Sequence, residues 1–441
     1  MALQLSSTEQ VLVLAPDASS VAASKKLAHT KHWQHLGQSA EALWGECQRS
    51  ALYQVCIDLS TLTMTCSCPS RKLPCKHSLG LLLLAVNTPA DVPTSEAPEW
   101  VSSWLVKRAA ASKRKEIKET NKTPDTSPST AQLKRTEKRQ AQMLKGLDRL
   151  DLWLHDLIRN GLASVESQPA KFWEEQATQM VDAQLPGLGN RLRRMATIPN
   201  SSPQWPAKLL TELGKVALLT HAFRRYEHLD AALQVDIRQL VGWSIDQEEV
   251  TEHGETVTDT WLILGQRINN DEKVREQWTW MWGTQLRRTA LILQYTFGQA
   301  PFTEAFPVGT SQVAELTFWP GASPQRARLE ARRAAFVPLH DPLPGIETIE
   351  GFLASVAGML ARQPWQEHFL CILKQATPVC TDKGSQWYIR DMMGAVLPLS
   401  NDEHWRLLAL SGGYPIDFVG EWNGETLFPL GMHVDSTYYI L

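Results

Sequence analysis

Hydrophobic positions change period several times along the chain, and each change marks an element. Over Tyr53–Leu59 they alternate: Tyr53, Val55, Ile57 and Leu59 share one parity, Gln54, Cys56 and Asp58 the other. That is the period of a half-buried strand. After a short turn, Leu62, Met64, Cys66 and Cys68 again share one parity, so the two runs predict a β-hairpin. Leu79–Val86 is apolar throughout apart from Gly80 and predicts a buried helix. Upstream, Val11–Ala15 predicts a short strand, while Lys25–Leu36 and Ala40–Cys47 mix helix and loop tendencies. Residues 1–87 read as one compact unit.

Further along, Leu147, Leu150, Leu154, Leu157 and Ile158 recur at spacings of three and four, the stripe of an amphipathic helix. Phe172–Ala183 and Pro206–Leu240 continue this pattern. The period then shortens. Trp261–Gly265, Glu276–Trp282, Ala290–Phe297 and Val313–Trp319 predict strands, with a hairpin turn at Asn269-Asn270-Asp271. Thr348–Leu360 predicts a helix, and 376–441 predicts more short strands. The expected fold class is α+β. It has a small hairpin-and-helix N-terminal domain (1–87), a linker (88–145), a helical middle region (146–250) and a mixed region of helix and strand (251–441, helix near 348–360).

Composition changes this picture in one place. The 441 residues carry a net charge of −3, with 43% hydrophobic and 21% charged side chains. Those totals suit a folded chain of about two to four domains. Yet residues 107–145 hold twelve basic and four acidic side chains, a local charge of +8, which leaves −11 elsewhere. Thr120–Thr130 is rich in Thr, Ser and Pro, the composition of a flexible spacer. Three readings of this segment stay open. It is a solvated spacer, an arm whose Lys113-Arg114-Lys115 and Lys134-Arg135 contact phosphates, or a helical extension that binds a partner.

No apolar run approaches the ~20 residues that span a bilayer. Met1–Asp17 lacks the basic start and cleavage site of a secretory signal. A cytoplasmic location with no membrane association is therefore expected. Thiols stay reduced there, and clustered cysteines are better read as metal ligands than as disulfides.

Such a cluster exists. Cys66, Cys68, Cys75 and His77 fall within twelve residues. Three thiolates and an imidazole suit tetrahedral Zn²⁺. On an extended chain, positions i and i+2 face the same way, so Cys66 and Cys68 at a strand end address one ion. Cys75 then belongs just before the helix, and His77 in its first turn. Three thiolates with Zn²⁺ sum to −1, and Arg71, Lys72 and Lys76 surround that centre. With all four positions supplied by the chain, the expected site is structural rather than catalytic.

These residues resemble the SWIM zinc finger, whose pattern is C-x-C, a spacer, then C-x-H; here the spacer is six residues. The likeness extends over about residues 33–86 of bacterial proteins with this finger, through Ala42-Leu-Trp-Gly-Glu-Cys47-Gln and Tyr53-Gln-Val-Cys-Ile-Asp58. It departs at Arg49-Ser50-Ala51, where the relatives carry glycines. Ala409-Leu-Ser-Gly-Gly-Tyr-Pro and Phe418-Val-Gly-Glu-Trp-Asn-Gly are similar to the tail of the same family. The resemblance implies a zinc-binding interaction or adaptor module with no activity of its own. It implies a protein partner, a MoxR-type AAA+ ATPase or a von Willebrand factor A protein. DNA or RNA binding through Arg71, Lys72, Lys76 and the basic segment is the alternative. An enzyme with an unrecognised site in 146–441 is a third reading, although nucleotide-binding, zinc-protease and serine-hydrolase motifs are all missing from the sequence.

Four features receive plainer readings. Cys56 lies on the opposite parity to the hairpin's apolar face, and Cys47, Cys371 and Cys380 are read with it as small buried side chains. His29, His32 and His35 are surface or packing groups unless one helix aligns them on a second metal. His155-Asp156 sits in a regular amphipathic helix. Trp278, Trp280 and Trp282 share a strand face and are read as packing.

Overall fold

The structure, a computed structural model, describes all residues except 1–7, 16–17, 49–50, 60, 71–73, 109–129, 244, 246, 271–273, 299, 382–385 and 401–403. Two helices, α1 (Thr8–Val13) and α2 (Ala18–Lys25), precede a four-stranded antiparallel sheet. Its strands β1 (Trp33–Gln38), β2 (Ala42–Gln48), β3 (Leu52–Asp58) and β4 (Met64–Cys66) lie side by side in chain order. Helix α3 (Lys76–Asn87) follows. The expected strand at Val11–Ala15 is instead the end of α1 and the turn after it. So short an apolar run fits either period. The outcome is set by Val11, fully buried in the core that α1 shares with α3. The ambiguous stretch before β3 resolves into β1 and β2, which widen the expected hairpin on one side.

The face of β3 that carries Cys56 is covered too. Residues 99–108 form a helix, α4, and its Val101 packs with Ala42, Trp44 and Cys56. Arg108 at its end lies 3.4 Å from Asp58. The segment expected as a linker, 88–145, is therefore structured at both ends. At its far end α5 (Thr130–Asn160) already begins, and Met143 is fully buried. Its basic composition conceals an apolar stripe, Met143, Leu147, Leu150 and Leu154, that continues back from the predicted helix.

Helices α5, α6 (Ala170–Asp182), α7 (Pro186–Met195), α8 (Trp205–Arg224) and α9 (Ala231–Val241) form a bundle around Leu150, Trp173, Leu192, Leu213 and Leu219. The run predicted as helical over Pro206–Leu240 is broken before Asp230, whose side chain accepts from the Leu233 N–H at 2.9 Å and caps α9. Helix α7 approaches α9 so closely that a Cβ on Gly187 would stand 2.0 Å from the Leu240 carbonyl. Only glycine permits that contact.

A short helix, α10 (Gln247–His253), leads into β5 (Glu255–Asn270), β6 (Val274–Gly283), β7 (Arg288–Phe297), β8 (Thr310–Phe318) and β9 (Arg326–Arg332). Strand β9 pairs antiparallel with β8 and parallel with β7, which closes β5 to β9 into a barrel; β10 (Val337–Pro338) adds to β8. Inside lie Trp261, Met281, Ile292 and Phe318, in one cluster with Val11, Leu27 and the leucines of α3. The first sheet and the barrel thus share one core.

Helix α11 (Ile349–Arg362) then precedes β11 (Phe369–Cys380), β12 (Trp387–Arg390), β13 (Val396–Pro398), α12 (Trp405–Ser411), β14 (Ile416–Trp422), β15 (Leu427–Val434) and β16 (Thr437–Ile440). The strands make a sheet in the order β13-β12-β11-β14-β15-β16. The helix α12 was not expected among the predicted strands; Leu407 inserts it into the core beneath the sheet, and Trp405 meets Trp387 edge-on. The other sheet face lies against the barrel through Leu370, Ile372, Val419 and Leu430. Trp280, fully buried there, donates to Glu421 at 2.8 Å, with Trp278 and Trp282 packed beside it. Those tryptophans are packing groups.

Several contacts dock the bundle. Trp365, between α11 and β11, enters the bundle core and donates to the Lys215 carbonyl at 2.8 Å. Beside it, Glu367 pairs with Arg191 and Arg194, each at 2.8 Å. On the barrel side, Asp236 of α9 accepts from the Ala322 N–H at 2.8 Å. Burial pushes its carboxyl up to about 6. No helix among the described residues is long and apolar enough to cross a membrane.

Trp365→Ala is expected to destabilise the chain by about 3–5 kcal/mol, measured by urea unfolding, with amide protection lost in α8. Because the folded-state pKa of Asp236 lies above its unfolded value, the folded chain binds more protons between the two. Its contribution to stability therefore falls as pH rises through about 6. Asp236→Asn should keep the contact to Ala322 and flatten the stability profile in that window.

Candidate metal centre

The centre forms where β4 ends and α3 begins. Val55 faces Cys66 across the β3–β4 ladder, which places Cys66 on the sheet face turned to α3 and Cys56 on the face turned to α4. Beyond the ladder, Ser67 holds the chain to β3: its N–H donates to the Gln54 carbonyl at 3.0 Å, and its hydroxyl accepts from the Gln54 N–H at 2.9 Å. With Ser67 tied back, Cys66 and Cys68 face the same way. Cys75 is the N-cap of α3, in extended conformation, and its sulfur accepts from the Ser78 N–H at 3.5 Å. His77 follows in the first turn, only 3% exposed.

One ligand atom from each of Cys66, Cys68, Cys75 and His77 lies within 4.8 Å of all the others. The His77 Nδ1 stands 3.7 Å from the Cys66 sulfur and 4.0 Å from that of Cys75. Zinc bonds of about 2.0–2.3 Å give a tetrahedron with edges near 3.6–3.8 Å. The donors are therefore gathered closely enough for one Zn²⁺ to draw them together, and three thiolates with one imidazole suit its chemistry. Tyr53 of β3 stacks on the His77 ring at 4.9 Å, with the planes 29° apart, and fixes its orientation.

Electrostatics favour thiolate at Cys75. The hydrogen bond from Cys66 pulls the Cys75 thiol down, and those from His77 and Ser78 add to it against burial. The same bond, with burial, pushes Cys66 up. The positive end of α3 acts in the same sense on Cys75. Lys76 is exposed beside the cluster. Arg71 and Lys72 lie outside the described residues, as do Lys113-Arg114-Lys115.

The remaining candidates disperse. His29 precedes a 3-10 turn that His32 ends, while His35 lies in β1 and meets Glu46 at 2.7 Å, so no single helix aligns them. His155 bonds back to the Asp151 carbonyl within α5 at 2.7 Å. Cys47, Cys56 and Cys371 are buried, but Cys380 is exposed at the end of β11, where the strand leaves the core. The sequence motif does not single out Tyr53 as a supporting residue, although its parity with Val55, the residue facing Cys66, places it on the same sheet face.

Residues 53–85 match the SWIM zinc finger, and residues 138–241 match the SWIM-associated four-helix bundle domain. The first span holds the whole cluster; the second runs from within α5 to the end of α9. The chain thus carries a SWIM zinc finger and a SWIM-associated bundle domain, with a C-x-C-x6-C-x-H cluster that fits Zn²⁺. No curated protein and no solved structure matches it.

Tyr53→Ala removes the stacking partner of His77 and touches no sulfur. It is expected to leave one zinc per chain and weaken its affinity by about tenfold, measured by competition with a chromogenic chelator.

Proposed function

We propose that Cys66, Cys68, Cys75 and His77 hold one Zn²⁺ in a closed structural site, and that the chain serves as a non-enzymatic adaptor for a protein partner. The observation that carries this reading is the position of the cluster. Its four donors come from the chain itself and stand at the first turn of α3, the helix whose burial joins finger sheet and barrel. A metal there supplies folding free energy and leaves no position for a substrate. The matches to a zinc finger and its associated bundle support a binding role. The resemblance of the finger to bacterial relatives favours a MoxR-type AAA+ ATPase or a von Willebrand factor A protein as the partner.

Metal content tests the first half. Cys68→Ser and His77→Ala proteins should lose the tightly bound zinc that the parent retains through gel filtration; retention by both overturns the ligand assignment. The second half is tested with purified components. A MoxR-type ATPase from the same cell should bind the full-length chain in calorimetry, and bind the His77→Ala chain far more weakly. No binding to the ATPase or a von Willebrand factor A protein, with a salt-sensitive DNA or RNA mobility shift lost on deleting 107–145, overturns the adaptor reading for nucleic acid.

A further inference from the structure

The barrel is closed, but one of its mouths is not filled. Along β5 and β6, Ile268 pairs with Gln277 and Gln266 with Thr279, continuing the inward parity of Met281. Between this mouth and the finger lies a cavity of about 310 Å³. Leu62, Met64 and Pro74 of the finger form one wall, and Ile268, Phe302 and Phe306 of the barrel form the other. Ligand pockets begin at about this size, and barrel mouths are among their regular places.

The polar groups of this mouth fall into two sets. Most are satisfied within the chain. Gln294 donates to the Glu304 carbonyl at 2.9 Å and accepts from the Glu304 N–H at 2.8 Å. Arg332 reaches the Glu304 carboxylate at 3.1 Å and the Ala305 carbonyl at 2.9 Å. Gln266 donates to the Phe306 carbonyl at 2.9 Å. These bonds fix the loop over 301–306 as a preformed wall. The second set has no such partners. Gln277 is 7% exposed, lines the cavity, and its amide has no hydrogen-bond partner among the described residues. Arg275 also lines the cavity, two residues away on the same strand face. Its guanidinium lies over the Phe302 ring at 5.1 Å, with no carboxylate partner among the described residues.

A guanidinium keeps its charge, and its planar fork matches a carboxylate. A buried amide beside it supplies a further donor. The walls around both are apolar. We propose that this mouth binds a small amphipathic acid: a carboxylate held by Arg275 and Gln277, carried on a short aliphatic group that lies against Met64, Ile268 and Phe306. A free carboxylic acid and the terminal residue of a peptide share this chemistry. The site is separate from the metal cluster and does not depend on the adaptor reading.

The test is calorimetry on the full-length, zinc-loaded protein with hexanoate and hexan-1-ol, which share the chain and differ in charge. Hexanoate should bind saturably, and hexanol about tenfold more weakly, the scale of one charge-assisted hydrogen bond. Arg275→Gln should lower hexanoate affinity by a similar factor and leave hexanol unchanged. Met64→Trp, which fills the cavity, should abolish both. Equal binding of the two probes by the parent, absence of saturable hexanoate binding, or an Arg275→Gln chain that binds hexanoate as the parent does overturns the proposal. Within a positive result, Gly-Gly-Leu and its C-terminal amide assign the source. Tighter binding of the free peptide than of hexanoate indicates a chain terminus, and weaker binding indicates a free acid.

Discussion

A helix with leucine on every side has to be covered on every side. Leu79 to Leu84 are all buried, glycine included, and no single layer can bury a cylinder. The four-stranded sheet takes one side of α3, with α1 and α2 beside it, and the core then runs on into the barrel. Much of the architecture answers this demand. It explains why a zinc finger, which in a small domain would be folded chiefly by its metal, here shares a core with a barrel that begins at Glu255, far later in the chain.

The metal cluster was legible because its information is local. Four donors within twelve residues leave few geometries, and the i, i+2 parity of Cys66 and Cys68 fixes which side of the strand they use. The element types around it were legible for the same reason: Tyr53–Leu59 and Leu147–Ile158 carry their periods openly. Elements whose identity depends on distant partners were not. Val11 belongs to a helix because α3 receives it, and the helix at Trp405–Ser411 stands among strands because Leu407 fills the core under β11. Closure of the barrel rests on β9 pairing with both β7 and β8, a fact of register that no single run contains.

Composition hides burial at the ends of the segment expected as a linker, 88–145. Val101 and Met143, near its two ends, are both fully buried. Charge density averages over a helix, whereas burial selects one stripe of it. The bundle follows the same rule at its contacts with the rest of the chain. Arg191 is only 7% exposed, and it is tolerated there because Glu367 meets it as Trp365 enters the bundle core.

The shared core has a consequence in time. The chain is made from its N-terminus, so α3 leaves the ribosome well before β5 to β9 exist. At roughly 5–20 residues per second, the interval is on the order of tens of seconds. Throughout it the finger can close on its metal, since every donor is already present, while the leucine surface that the barrel will cover stays bare. The nascent chain thus passes through a stage in which all four donors of the cluster are present while the core that the barrel completes is still open.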